Sequence, residues 1–90
     1  MKFGQVVVTR GIAAKMDNWQ FKLGVESALK SYLAYDWGLA SEDSKEMNKK
    51  ALATKDSIMG VYEVMGGSEI IWIITDPGHK VTTILFPDEY

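Results

Sequence analysis

Between two turn motifs, Gly66-Gly67 and Pro77-Gly78, lies the run Ile70-Ile71-Trp72-Ile73-Ile74. A block of bulky β-formers bounded by turn residues reads as a strand, and it is far shorter than the ~20 apolar residues needed to span a bilayer. Ile58 to Met65 and Ser68 to Thr75 are β-rich runs joined by the two glycines, a loop that favours a tight primed hairpin turn. Pro77 presets the first angle of a second turn and Gly78 accepts a positive φ at the next position, so a further strand runs from about Lys80 to Phe86, where Pro87 stops it. The C-terminal third is therefore a three-stranded meander.

Those turns imply a register. The first opposes Met65 to Ser68, hence Val61 to Trp72 and Met59 to Ile74; the second opposes Asp76 to His79, hence Ile74 to Val81 and Trp72 to Thr83. One face then carries Met59, Val61, Ile70, Trp72, Ile74, Val81 and Leu85. The other carries Tyr62, Ile71, Ile73, Ile84 and Phe86, diluted by Glu69, Thr75, Lys80 and Thr82.

Upstream, the run from Phe3 to Ile12 centres on Val6-Val7-Val8-Thr9 and reads as a first strand ended by Gly11. Asp17 with Gln20 resembles a capping box, and Phe21, Val25, Ala28, Leu29, Tyr32 and Leu33 recur at helical spacing over a helix from about Asn18 to Tyr35. Gly24 inside it costs about 1 kcal/mol against alanine, which points to close packing there. Gly38 suits a left-handed cap, with Trp37 folding back onto the core. Ser41 caps a second helix from about Glu42 to Ala53, whose apolar stripe is Met47, Ala51 and Leu52. With no linker or repeat, residues 1–90 read as one α+β domain of order β-α-α-β-β-β, helices packed on an antiparallel, mostly meander, four-stranded sheet.

Composition excludes several chemistries. Net charge is −2 and Arg10 is the only arginine, which disfavours nucleic acid as a partner. Lys45, Lys49, Lys50 and Lys55 are interleaved with Glu42, Asp43, Glu46 and Asp56, the pattern of a solvated helix face. The absence of cysteine removes disulfides, thiolate metal sites and cysteine nucleophiles. Met1-Lys2 leads into a Val-rich strand and not an apolar leader, so a cytoplasmic location away from membranes is expected.

No residue pattern marks a catalytic group, a metal site or a cofactor, and no small-molecule ligand is inferred. His79, the single histidine, lies in the turn Asp76-Pro77-Gly78-His79 beside a carboxylate able to orient it, but no nucleophile accompanies it. The acidic group Asp36, Glu42, Asp43 and Glu46 lacks the spacing of a calcium loop, and Gly66-Gly67 joins two strands where a phosphate loop joins strand to helix. Tyr32, Tyr35 and Trp37 cluster at the end of the long helix. Tyr35, Asp36, Trp37 and His79 are the candidates for a surface site, although clusters of this kind commonly serve packing.

Three segments, Tyr35-Asp36-Trp37-Gly38 with the acidic stretch after it, Ile71-Trp72-Ile73-Ile74-Thr75 and Thr82-Thr83-Ile84-Leu85-Phe86-Pro87-Asp88-Glu89-Tyr90, together resemble a family of small bacterial proteins found on plasmids, phages and integrative elements. The resemblance covers most of the chain in order and implies a mobile-element setting, but no particular activity. Two departures stand out: Tyr35 replaces the first glycine of a Gly-Asp-Trp-Gly turn, and Asp76-Pro77-Gly78-His79-Lys80 replaces a Glu-Ala-Asp-Arg-Ser stretch, losing its arginine.

The resulting expectations are specific. The Val61, Trp72 and Ile74 face packs on the Phe21, Val25, Leu29 and Leu33 stripe. Tyr62, Ile71, Ile73, Ile84 and Phe86, left uncovered, form a protein-binding surface for a homodimer or a partner protein, with Lys80 and Glu69 near its rim. The function expected is that of a non-enzymatic, protein-binding accessory factor of a mobile element, acting on a host defence or maintenance system. The alternatives are a small toxin-like ribonuclease using His79 and Arg10, and a purely structural homo-oligomer.

Overall fold

A computed structural model describes residues 3–90; Met1 and Lys2, and the reading of a leader made on them, lie outside it. The elements are β1 (Gln5–Val8), α1 (Arg10–Lys15), α2 (Trp19–Leu33), α3 (Glu42–Thr54), β2 (Ile58–Val64), β3 (Glu69–Thr75) and β4 (Val81–Leu85), with short 3-10 turns at Met65–Gly67 and Pro87–Glu89. The strands form one sheet of order β1-β4-β3-β2. β2, β3 and β4 are an antiparallel meander, but β1 runs parallel to β4, so the α+β fold is built on a mixed sheet and not on an antiparallel one. This follows from the three helices between β1 and β2, which carry the chain back across the sheet before the meander begins.

The expected first strand ends early because Thr9 caps a helix. Its side-chain oxygen accepts from the Ile12 backbone N–H at 3.4 Å, turning the residues after Thr9 into α1 and burying Ile12. Asn18, not Asp17, caps α2, accepting from the N–H groups of Gln20 and Phe21 at 3.0 and 3.1 Å. Ser41 caps α3 at 3.1 Å from Ser44 N, as its position predicts. The left-handed residue after α2 is Tyr35, with φ 66°. Gly38 is left-handed as well, with φ 66°, as expected of it, and close packing adds a second need for glycine there. A Cβ there would lie 2.1 Å from the Val61 carbonyl oxygen, the atom to which Leu39 N donates at 2.7 Å.

The β2–β3 register is the one the glycine turn implies, with Val61 opposite Trp72 and Met59 opposite Ile74. At the second turn His79 N donates to Asp76 O at 2.9 Å across Pro77-Gly78, but His79 then takes φ 57° and the ladder resumes with Asp76 N donating to Val81 O. The register is therefore displaced by two residues from the expected one, placing Trp72 opposite Leu85 and Ile74 opposite Thr83. A displacement of two preserves the faces.

The larger correction concerns which face the helices cover. Tyr62, Ile71, Ile73 and Ile84 lie in the core with Phe21, Val25, Ala28, Tyr32 and Ile12, and Phe86 packs at its margin 5.9 Å from the Phe21 ring. Leu29 is only partly buried, and Leu33 and Met47, expected inside, are 39% and 69% exposed. Trp72, Ile74, Val61 and Met59 face the other way and are half-buried. Gly24 brings α2 close to the sheet at Val64, where an added Cβ would meet the Val64 Cβ at 2.9 Å. The threonines that seemed to dilute this face are fully buried and bonded in a chain: Tyr32 Oη lies 2.6 Å from Thr75 Oγ1, which lies 2.7 Å from Thr82 Oγ1, which donates to Phe3 O at 2.6 Å. Buried hydroxyls with partners are compatible with a core, so their presence did not mark a solvated face.

Candidate functional site

Four of the five expected interface residues are not available as a surface, and Phe86 is only partly buried. Ile71 and Ile73 are 0% exposed, Ile84 2% and Tyr62 7%, and the Tyr62 hydroxyl donates to Asp36 O at 2.7 Å. Burial raises the pKa of Tyr62, as it does that of Tyr32, which is pushed up to about 12.

The second candidate set is brought partly together. Trp37 is buried, 5.3 Å from the Tyr32 ring and stacked at 5.9 Å on Tyr35; Tyr35 in turn meets Phe3 edge-on at 6.1 Å, and His79 lies 6.2 Å from Phe3. His79 Nε2 sits 2.8 Å from the Asp56 carbonyl oxygen, and Gly78 N donates to Lys55 O at 2.8 Å. The turn is thus tied to the end of α3, and His79 is a fastening. Asp36 accepts from Gly38 N at 3.0 Å and shapes the loop. Arg10 starts α1 beyond the C-terminal end of β1, whereas His79 precedes β4, whose N-terminal end lies beside the N-terminal end of β1. These two residues stand at opposite ends of parallel strands and do not converge on a shared substrate.

Other concave features are similarly committed. A groove of about 640 Å³ runs between α1 and the C-terminal turn, lined by Lys15, Glu69, Ile70, Phe86 and Asp88 among others. Two of its charges answer one another, Lys15 bonding Glu69 while lying 5.1 Å from the Phe86 ring centre. Glu89 fastens the chain end: its carboxylate accepts from Phe86 N at 2.8 Å, Thr9 Oγ1 at 2.7 Å and Gly11 N at 3.1 Å. Those bonds, that from Phe86 first, hold its pKa below the ordinary carboxylate value. Among the described residues no group of three or more acidic, histidine or cysteine side chains is placed to hold a metal ion, and no helix is long and apolar enough to cross a membrane.

The feature left without an intramolecular explanation is the uncovered face of the sheet. Alternation and register place on it Met59 and Val61 of β2, Ile70, Trp72 and Ile74 of β3, Val81, Thr83 and Leu85 of β4, and Gln5 and Val7 of β1. Leu85 alone among these is buried; Val7 is 37% exposed and Tyr90 meets Trp72 edge-on at 5.7 Å. Four strands at about 4.8 Å spacing and five residues at about 3.3 Å each give a platform of roughly 19 by 17 Å. Its one charged residue is Glu63, at the end of β2. The sequence grouped Met59, Val61, Ile70, Trp72, Ile74, Val81 and Leu85 as one apolar face, without Gln5, Val7 and Thr83, and assigned it to the core. Gly24 and the need of Tyr32 for a buried hydroxyl partner were the signals favouring the other face.

In comparisons with known proteins, the chain matches no family model, no curated protein and no solved structure.

Proposed function

We propose that this chain is a non-enzymatic, protein-binding accessory factor that docks its partner on the uncovered sheet face centred on Trp72. The observation that supports this reading is an apolar platform on the side of the sheet away from all three helices. An antiparallel meander with one solvated face ordinarily alternates apolar with polar residues, and β3 carries Ile70, Trp72 and Ile74 on its solvated side. A half-buried tryptophan amid aliphatic side chains has the character of an interface anchor. The mobile-element setting, and action on a defence or maintenance system, rest on the resemblance of the three segments. The ribonuclease alternative loses its geometric basis with the separation of His79 from Arg10.

The test compares affinity capture by the parent chain, by Trp72→Lys and by Lys50→Glu on the exposed side of α3, in a cell carrying the source element. A partner recovered in stoichiometric amount by the parent and by Lys50→Glu, and lost with Trp72→Lys while the circular dichroism spectrum is unchanged, is the expected result. Growth arrest with cleaved cellular RNA on induction, abolished by His79→Ala, overturns the reading in favour of the ribonuclease.

A further inference from the structure

The two edges of the sheet are treated differently. On the outer side of β2 the Asn48 side chain takes both backbone groups of Met59, donating to its carbonyl at 2.7 Å and accepting from its N–H at 3.2 Å. Val61 N donates to Trp37 O at 3.1 Å and Val61 O accepts from Leu39 N. At Met59 and Val61 that edge is closed by the chain itself. On β1, Gln5 N donates to Lys80 O and Thr9 N to Ile84 O, at 3.0 and 3.1 Å. In a parallel ladder the residues of the same parity face β4, so Val6 and Val8 turn their N–H and C=O groups away from the sheet. Among the described residues no segment pairs with them. The strand has no lysine, proline or bulge to discourage pairing, and Val7 and Val8 are 37% and 41% exposed.

We infer that β1 pairs antiparallel with β1 of a second copy of this chain, joining two sheets edge to edge into one of eight strands. The occupant is a second copy because the open strand, Gln-Val-Val-Val, is uncharged and complementary to itself, so the pairing brings no like charges together within the strands. Parity also selects the register. Outward-facing residues must oppose outward-facing residues, and pairing Val6 with Val8 of the second copy engages all four outward groups of each strand. Val7 then lies on the two-fold axis opposite its own copy, at a non-hydrogen-bonded position where Cα atoms are about 4.5 Å apart. The axis is perpendicular to the sheet. Both helical layers fall on one side and both Trp72 platforms on the other, doubling the platform to roughly 38 by 17 Å. That brings it closer to the ~800 Å² per partner of a stable protein interface. The inference stands apart from the docking proposal, since the edge can pair whether or not the face binds anything. Two four-residue strands make a small contact, so the dimer is concentration-dependent.

Because the chain has no cysteine, single thiols report the pairing directly. Under mild oxidation at high micromolar concentration, Val7→Cys is expected to form a disulfide dimer at least tenfold faster than Thr83→Cys, which lies on the same face one strand inward. Val6→Pro removes an N–H that β4 does not use. It is expected to abolish the concentration-dependent increase in sedimentation coefficient seen for the parent, while leaving the thermal midpoint of the monomer within a few degrees. Cross-linking of Val7→Cys no faster than that of Thr83→Cys overturns the edge pairing. Faster cross-linking at Thr83→Cys also overturns it, and identifies stacking of the two platforms face to face in its place.

Discussion

The two faces of the sheet are built from nearly the same residues and have opposite fates. β3 shows this at single-residue resolution: Ile71 and Ile73 are fully buried under the helices, while Ile70 and Ile74, their immediate neighbours, lie half-buried on the other side. The covered face is not free of polar groups, for it contains Thr75, Thr82 and the Tyr62 hydroxyl. Every one of those groups has a partner, and among the described residues no buried side-chain nitrogen or oxygen lacks one. What distinguishes a core face from an exposed one is therefore whether its polar atoms are answered, and whether its side chains fit beneath a helix, more than the amount of apolar surface it carries.

The most direct way to break this comparison is to truncate the two neighbouring isoleucines. Ile73→Ala is expected to lower the unfolding free energy by about 2–5 kcal/mol, because it removes fully enclosed volume, whereas Ile74→Ala costs about 1 kcal/mol or less. Urea unfolding of both variants decides the matter, and equal losses would mean that the helices do not discriminate between the faces. Next in size is Asn48→Ala. It leaves the N–H and C=O of Met59 without their partner at the β2 edge and is expected to cost about 1–3 kcal/mol, with faster amide exchange at Met59 as its local signature.

Thr75→Val preserves shape but interrupts the hydroxyl chain, leaving Tyr32 and Thr82 to find other partners. A loss of about 1–2 kcal/mol is expected in the same unfolding experiment. The buried phenols also set an alkaline limit. A folded-state pKa of about 12 for Tyr32 lies above the ordinary phenol value of 10.0, so stability is fully present below 10 and falls as pH rises from there towards 12. Tyr32→Phe is expected to flatten that part of the profile.

The smallest effect belongs to Glu89, which joins the chain end to the start of α1. Its folded pKa is lowered, so the unfolded chain takes up the proton first. The contribution is present above the unfolded carboxylate range and lost as pH falls through the folded value. Glu89→Gln is therefore expected to be less stable than the parent near neutrality and to converge with it in acid. A difference that persists unchanged at low pH would show that the carboxylate bonds to Phe86, Thr9 and Gly11 are not its source.

Much of the fold was legible in the chain itself. The Gly66-Gly67 turn gave the β2–β3 register residue for residue, because two positive-φ positions leave the flanking strands only one comfortable alignment. Ser41 and the stripe from Phe21 to Tyr32 located α3 and α2, since capping and helical spacing are local. Thr9 was passed over because the β-branched residues before it hid its capping role, and the two-residue displacement at His79 needed a left-handed conformation that no residue type there announces.

The chain by itself determined that a meander with two apolar faces would sit beside helices with one apolar stripe. It did not determine which face meets the stripe. Apolar period gives the same answer for both, and the choice turns on contacts between distant segments: Gly24 against Val64, Tyr32 against Thr75, and Thr82 against Phe3. The same holds for the edges. Asn48 reads as an ordinary polar position on a helix until α3 is laid beside β2, and β1 reads as an ordinary strand until its one neighbour proves to be β4. Tertiary structure decides these points because hydrogen-bond satisfaction and shape are properties of pairs of segments, whereas turn, cap and periodicity are properties of one.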